Sequence, residues 1–204
     1  MDTSSPKRCS MSTHTASSVS SARLLLSQYL GSVGLWGSKL KYMYPSSKLH
    51  LNFENDTHVY FFTGPYYPLD NFWAHQVEIW WRKFATVEHA YQWRKFSLWA
   101  PEIAEQIFNA TSPEKVKDIS ILNAIKTPQD WRENRIQVMY EILLAKTLQH
   151  EDVHKMLIET WNKIIAESSP VDSFWWIGAD GKWENTVGKI WMRIREEICS
   201  SLKK

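Results

Sequence analysis

The chain is poor in cysteine, with Cys9 and Cys199 near opposite ends of 204 residues. Neither falls in a CxxC or Cys/His spacing, which argues against a disulfide framework and a zinc site, and the usage fits a reducing compartment such as the cytoplasm. Charge of one sign is also lacking: the formal net charge is +2, too small to make an electrostatic case for nucleic acid. No apolar run approaches the ~20 residues that a membrane-spanning helix needs. Glycine-rich phosphate loops, GxSxG and HExxH are all missing, which removes the common nucleotide, serine-hydrolase and zinc-protease signatures. Acid is nearly absent from the start of the chain. Between Met1 and Phe53 the only acidic residue is Asp2, against Lys7, Arg8, Arg23, Lys39, Lys41 and Lys48. Residues 1–21 are rich in Ser and Thr and should be disordered. An acid-poor, Ser-rich, Arg-containing leader reads either as an organelle-targeting segment or as an ordinary tail. Residues 1–55 are therefore set apart as an extension, and 56–204 as the folded domain.

Tryptophan is what the chain has in excess, twelve in all. Trp supplies large flat apolar area with one N–H donor, suited to a dense core or to ring-stacking surfaces. His58–Thr63 (HVYFFT) is β-prone, and Val77–Trp81 is expected to pair with it as a hairpin-like element. Between them Gly64–Trp73 is a loop, by its Gly, Pro, Asp and Asn content. From Thr86 onward the pattern is helical. Ser112 caps a helix with Pro113 at its first position. Asp130–His150 is a long helix with Ile136, Met139, Leu143 and Leu144 as its apolar face. Glu151–Trp161 is another helix, Asn162–Glu184 a long aromatic loop, and Asn185–Leu202 a closing helix with Val187, Ile190, Trp191 and Ile194 inward. The fold class expected is mainly α, with a small two-strand β element near the start of the domain.

The stretch Thr86–Phe96 (TVEHAYQWRKF) organises the rest. Thr86 is a natural N-cap, Glu88 suits the positive end of the helix dipole, and Pro101 stops the helix. Glu88, Gln92 and Lys95 share one stripe, while Ala90, Trp93 and Phe96 face a core; Tyr91 flanks the stripe. Glu88 and Lys95 then stand roughly 10 Å apart by helix rise, too far for an ion pair and a good span for a small polar ligand. Two further stretches combine an amide or carboxylate with planar rings. One is Leu69–Trp73, with Asn71 and Phe72. The other is Ala166–Gly188, with Asp172, Trp175, Trp176 and Asn185. Rings that stack and amides that hydrogen-bond suit a flat heterocycle attached to a sugar. Trp131 and Arg135 lie at i and i+4 on one helix face; Arg135 either holds a phosphate or pairs with Asp130 or Glu133. His75, His89 and His154 read as structural or surface residues, and no metal site is expected.

The blocks LDNF, TVEHAYQWRKF, DWRENRIQVM, AKTLQ, IAESSPVDSFW and ENTVGKIWMRIR, in this order and spacing, resemble the NADAR family, also called YbiA-like. The likeness runs from about Tyr60 to Arg195. It implies a mainly helical domain and N-glycosidase chemistry, the cleavage of a ribose–nitrogen bond. The substrates it implies are ribosylamino-pyrimidine phosphates of riboflavin biosynthesis or ADP-ribose linked to guanine, so a modified nucleic acid is one possible partner. Family residues fall on Asn71, Phe72, Glu88, Gln92, Lys95, Trp131, Asp172, Trp175, Asn185 and Gly188. Three positions depart from it. Trp176 and Trp183 stand where the family usually has Gly, and Asp70 replaces a more usual Ser; a bulky residue in place of Gly fills a pocket or strains a turn.

Cleaving an N-glycosidic bond builds positive charge at C1′, which a carboxylate stabilises. A deprotonated lysine can attack C1′ and hold the opened sugar as an imine. Lys95 is thus the expected nucleophile, Glu88 its charge-stabilising or proton-transferring partner, and Asp172 the group that orients a ribose hydroxyl or water. No cofactor is required. The alternative, suggested by Trp176 and Trp183, is a catalytically silent ADP-ribose or nucleotide-binding module.

Overall fold

The structure, a computed structural model, describes residues 53–61, 67–168, 172–177, 182 and 184–201. The leader, within which residues 22–30 read in sequence as a short helix, Trp183 and the end of the HVYFFT segment lie outside these residues. Among the described residues are six helices and five short strands, so the mainly α architecture holds.

Strand pairing differs from expectation. β1 (Phe53–Glu54) runs antiparallel to β2 (His58–Phe61), and β2 pairs in parallel with β5 (Ile164–Glu167) in the register His58↔Ile164 to Phe61↔Glu167. β3 (Val77–Ile79) pairs not with β2 but with β4 (Arg82–Phe84). The β3–β4 turn is Trp80–Trp81, with φ of 52° and 58°. Two consecutive left-handed residues are what a tight hairpin turn demands, normally met by Asn-Gly. Two tryptophans give no such signal in sequence, and Val77–Trp81 was therefore matched to the wrong partner.

The helix α1 (Val87–Phe96) packs against α2 (Pro101–Phe108), α3 (Pro113–Leu122), α4 (Trp131–Gln149) and the hairpin. Thr86 caps it as expected: its Oγ1 accepts the His89 backbone N–H and lies 2.8 Å from His89 Nδ1. His89 Nε2 meets the Ala110 carbonyl at 3.1 Å, so Nε2 donates, Nδ1 accepts from Thr86, and burial pushes the ring's pKa down. α1 is buried nearly all round its first six residues, including Glu88, His89 and Gln92. The polar stripe is thus interior, not a solvated face.

In α4 the buried face is Val138, Met139, Ile142, Leu143, Lys146 and Thr147. Ile136 is exposed and Leu144 half-buried, which corrects the expected face. α5 (Glu151–Glu159) follows, then β5, which interrupts the long loop expected at 162–184. α6 (Thr186–Ser201) closes the main core with Val187, Ile190, Trp191 and Ile194 inward. Gly188 lets α6 approach β5: a Cβ there would stand 2.0 Å from the Ile165 carbonyl oxygen. Phe96, Ile103, Ile107 and Val116 make a second cluster between α1, α2 and α3. No helix among the described residues is long and apolar enough to cross a membrane.

Candidate active site

Glu88, Gln92 and Lys95 do share a face of α1, and a residue from the next hairpin of helices joins them. Lys95 Nζ donates to Ser120 Oγ at 3.1 Å, Ser120 Oγ donates to Gln92 Oε1 at 2.6 Å, and Gln92 Nε2 donates to Glu88 Oε1 at 3.0 Å. The amine and the carboxylate, too far apart to pair, are wired through three hydrogen bonds that all point from lysine to glutamate. Ser120 is buried on α3. Lys95 is half-buried, and that desolvation pushes its pKa down, with the Glu88 carboxylate opposing. A lowered lysine pKa favours the unprotonated amine.

Around this relay stand stacked rings. Tyr91 packs against Trp131 (5.1 Å between centroids) and edge-on to Trp175 (5.6 Å), and Trp175 meets Phe174 at 4.8 Å. Burial, reinforced by Glu88, pushes the Tyr91 phenol far above its ordinary range, so it stays a neutral hydroxyl. Arg135 pairs with neither Asp130 nor Glu133. Its guanidinium lies 3.4 Å from the centre of the Phe174 ring, with Nε buried and without a partner. A groove of ≈ 260 Å³ runs beside Lys95 and Trp131, lined also by Arg94, Trp99 and Asn134.

The Leu69–Trp73 loop reaches α1 through its backbone: the Asn71 carbonyl accepts the Glu88 N–H at 3.2 Å. Asn71 is buried and its Oδ1 has no partner. The Lys117 ammonium lies 5.7 Å from the Phe72 ring and 5.1 Å from the Trp176 ring, so the two aromatic loops converge over α3. Trp176 is accommodated inside, 7% exposed. Asp172 Oδ1 caps its own turn, accepting the backbone N–H of Phe174 and Trp175 at 3.0 and 3.2 Å. Asn185 differs from the others. It sits at φ 51°, its Oδ1 accepts the Glu167 N–H at 3.3 Å and its Nδ2 donates to the Ile165 carbonyl at 2.9 Å. Both ends of its amide are spent on β5, which makes it a brace rather than a group free for a ligand.

Three residues had been passed over in sequence. Ser120 completes the relay. Lys146, fully buried, donates to the Asp70 carbonyl at 2.8 Å and so ties α4 to the Asn71 loop. Burial pushes Lys146 down to about 7 and Asp70 up to about 6. Glu167 ends β5, buried, with Oε2 unpartnered. Each is a polar residue in an otherwise apolar pattern, the one sequence signal that pointed to them. His75, His150 and Asp152 cluster too. His75 Nε2 bonds Asp152 at 2.7 Å and His150 Nε2 bonds the Gln76 carbonyl at 2.5 Å, so the cluster is a clamp between α5 and the segment before β3.

The domain is mainly helical and turns a half-buried amine, a carboxylate and stacked rings toward one another. The chain belongs to the NADAR domain family, whose model matches residues 56–199. It is 36% identical over 147 residues to an N-glycosidase of Nostoc punctiforme (strain ATCC 29133 / PCC 73102), covering 71% of this chain and 94% of that protein. The chloroplastic riboflavin biosynthesis protein PYRR of Zea mays is 33% identical over 125 residues, 57% of this chain and 20% of that longer protein. The NMR structure of the E. coli protein YbiA superposes with a TM-score of 0.67 at 25% identity, covering 78% of this chain and 94% of that one. The chain is accordingly a hydrolase acting on N-glycosyl bonds.

Proposed function

We propose that the chain hydrolyses the ribose–nitrogen bond of a phosphorylated N-riboside of the ribosylamino-pyrimidine type, through an imine on Lys95. The observation that carries this is the relay from Lys95 to Glu88, with the amine desolvated. The riboflavin-biosynthesis name of the maize relative favours a pyrimidine riboside over ADP-ribosylated guanine.

The Lys95 amine attacks C1′ as the C1′–N bond breaks, and that bond's electron pair leaves with the nitrogen, which takes up a proton. Glu88 offsets the positive charge that builds at C1′. The Lys95 nitrogen, now a secondary ammonium, gives up a proton, and the lone pair so freed expels the ring oxygen, which takes up a proton, to give an imine; water, oriented by Asp172, hydrolyses it and restores the amine. Phe72, Trp131, Trp175 and Trp176 flank the heterocycle; the Asn71 Oδ1, lacking a protein partner, accepts from its edge. Arg135, whose Nε is also unpartnered, holds the phosphate. Tyr91 donates as a neutral hydroxyl, and Gln92 relays between Ser120 and Glu88.

Lys95→Arg tests the reading. Arg keeps the charge but stays protonated and forms no imine. It should lose about 10³-fold or more in turnover, as Lys95→Ala does, and borohydride should trap wild-type protein as a sugar adduct. An active Lys95→Arg variant with no wild-type adduct refutes it. Ribosylamino-pyrimidine phosphate and ADP-ribosylated guanosine, assayed side by side, separate the two substrate classes. Tight ADP-ribose binding with no turnover of either would favour the binding-module reading instead.

A further inference from the structure

β5 reads Ile-Ile-Ala-Glu: three apolar residues that complete a parallel pair, then a carboxylate where the next apolar side chain would fit. The Glu167 backbone is pinned on every side. Its N–H goes to Asn185 Oδ1, its carbonyl accepts from Ile177 at 3.0 Å, and the next residue, Ser168, donates to Phe61 at 2.8 Å. The side chain is 6% exposed, and Oε2 meets no donor or acceptor of the protein. A buried oxygen in that condition is costly unless something else fills its hydrogen bond. Glu167 feels the carboxylates of Asp70, Glu88 and Asp172 and the cation of Lys117, and it acts in turn on Lys146. Burial first, then these like charges, drive Glu167 well above the ordinary carboxylate range. Burial thus favours its protonated form, at the end of the parallel strand pair. The Glu88 charge acts both on Lys95 and on Glu167.

Breaking C1′–N in a ribosylamine needs a proton on a poor leaving nitrogen, and neither Lys95, which must be unprotonated, nor the neutral Tyr91 is the natural source. Resting on the hydrolase reading above, we infer that Glu167 is the general acid of the reaction, its Oε hydrogen going to the departing nitrogen. As C1′–N breaks and its electron pair passes to the nitrogen, Glu167 gives up the proton and becomes a carboxylate. It is reprotonated from solvent after the imine is hydrolysed, so the cycle closes with one water consumed. Asn185 and Gly188 are positioning residues for this acid: the first holds its backbone, and the second lets α6 carry Asn185 close enough to do so.

Glu167→Gln is the test, made on the full chain with three readouts. Turnover of a ribosylamino-pyrimidine phosphate should fall by about 100-fold or more, the usual worth of a general acid. Turnover of 4-nitrophenyl riboside 5-phosphate, whose leaving group needs no proton, should stay within about tenfold of wild type by the same reasoning. Borohydride trapping of free ribose 5-phosphate on Lys95 should persist, because the carbinolamine formed from the free sugar loses only water, which solvent can protonate. Equal loss on both glycosides overturns the assignment, as does no loss on either. Absence of a trapped adduct in wild type would instead strike the lysine reading and leave the acid to be judged on the two glycosides. Should Glu167→Gln fail to fold, wild type alone decides. Its kcat for the ribosylamine should fall as pH rises through the raised Glu167 pKa, while the nitrophenyl riboside shows no such limb; identical alkaline limbs refute the proposal.

Discussion

Ser120→Ala removes the middle of the relay and nothing else. Ser120 Oγ accepts from Lys95 at 3.1 Å and donates to Gln92 at 2.6 Å, in a residue 3% exposed. Losing a buried bond that leaves Gln92 Oε1 without its donor costs about 1–3 kcal/mol. Lys95 can swing toward that oxygen and recover part, so a net loss of about 1–2 kcal/mol is expected. With a urea m-value of about 2 kcal/mol/M, the midpoint should drop by roughly 0.5–1 M. The larger effect is on chemistry. A misplacement of the amine by about 1 Å is worth on the order of 10²-fold in rate, so kcat should fall about 10–100-fold with KM nearly unchanged.

A purely structural serine would also lower the urea midpoint, so the pH profile carries the decision. On the proposed mechanism Lys95 must lose its proton to attack, and its folded pKa is already lowered by burial. Ser120 Oγ accepts a hydrogen bond from the ammonium and so favours the charged form. Removing it should lower the Lys95 pKa further. The acid limb of kcat/KM, where activity appears as pH rises through the Lys95 pKa, should therefore shift to lower pH in Ser120→Ala. A folded Ser120→Ala with unchanged kcat and an unmoved acid limb would show that the relay holds the helices together and does not tune the amine.

Two further substitutions probe the frame of the site. Lys146→Met should cost about 1–3 kcal/mol by stranding the Asp70 carbonyl and raise KM by loosening the Asn71–Phe72 loop; urea melts and steady-state kinetics check the two halves. Because the folded Lys146 pKa is lowered to about 7, the unfolded chain binds the extra proton above that pH, so wild-type stability should gain with pH from about 7 upward and this gain should vanish in Lys146→Met. Gly188→Ala should abolish folding or cost about 3 kcal/mol or more, since its Cβ meets backbone at 2.0 Å. The exposed neighbour substitution Lys189→Ala should stay within about 0.5 kcal/mol by thermal melt.

What was legible in the chain followed local physics. Thr86, Ser112 and Pro113 mark helix starts because capping is settled by adjacent residues, and all three do so in the structure. The inner face of α6 was legible because its four apolar residues suffice to define a stripe. Pairing of strands was not. β5 is four residues long and meets β2 from more than a hundred positions away, and the Trp80–Trp81 turn holds a conformation its side chains do not announce.

The instructive failure is α4, where only apolar residues were used to place the buried face. That rule selected Ile136 and Leu144 and rotated the helix away from Lys146 and Thr147, which are buried. Continuing the spacing Met139–Leu143 by three residues leads to Lys146, a polar residue at a core position. The same sign recurs at Ser120, facing inward beside Val116 on α3, and at Glu167, following Ile165 and Ala166 on β5. A polar side chain in a core register must be satisfied by the fold or by a ligand. Lys146 and Ser120 are satisfied by the fold, through Asp70 and the relay. Glu167 Oε2, Asn71 Oδ1 and Arg135 Nε are not. On the proposed function these three atoms, rather than His75 Nδ1 and the indole N–H groups of Trp93 and Trp191, which are unpartnered too, are the ones that would face the N-riboside: its heterocycle toward Asn71 and Glu167 and its phosphate toward Arg135.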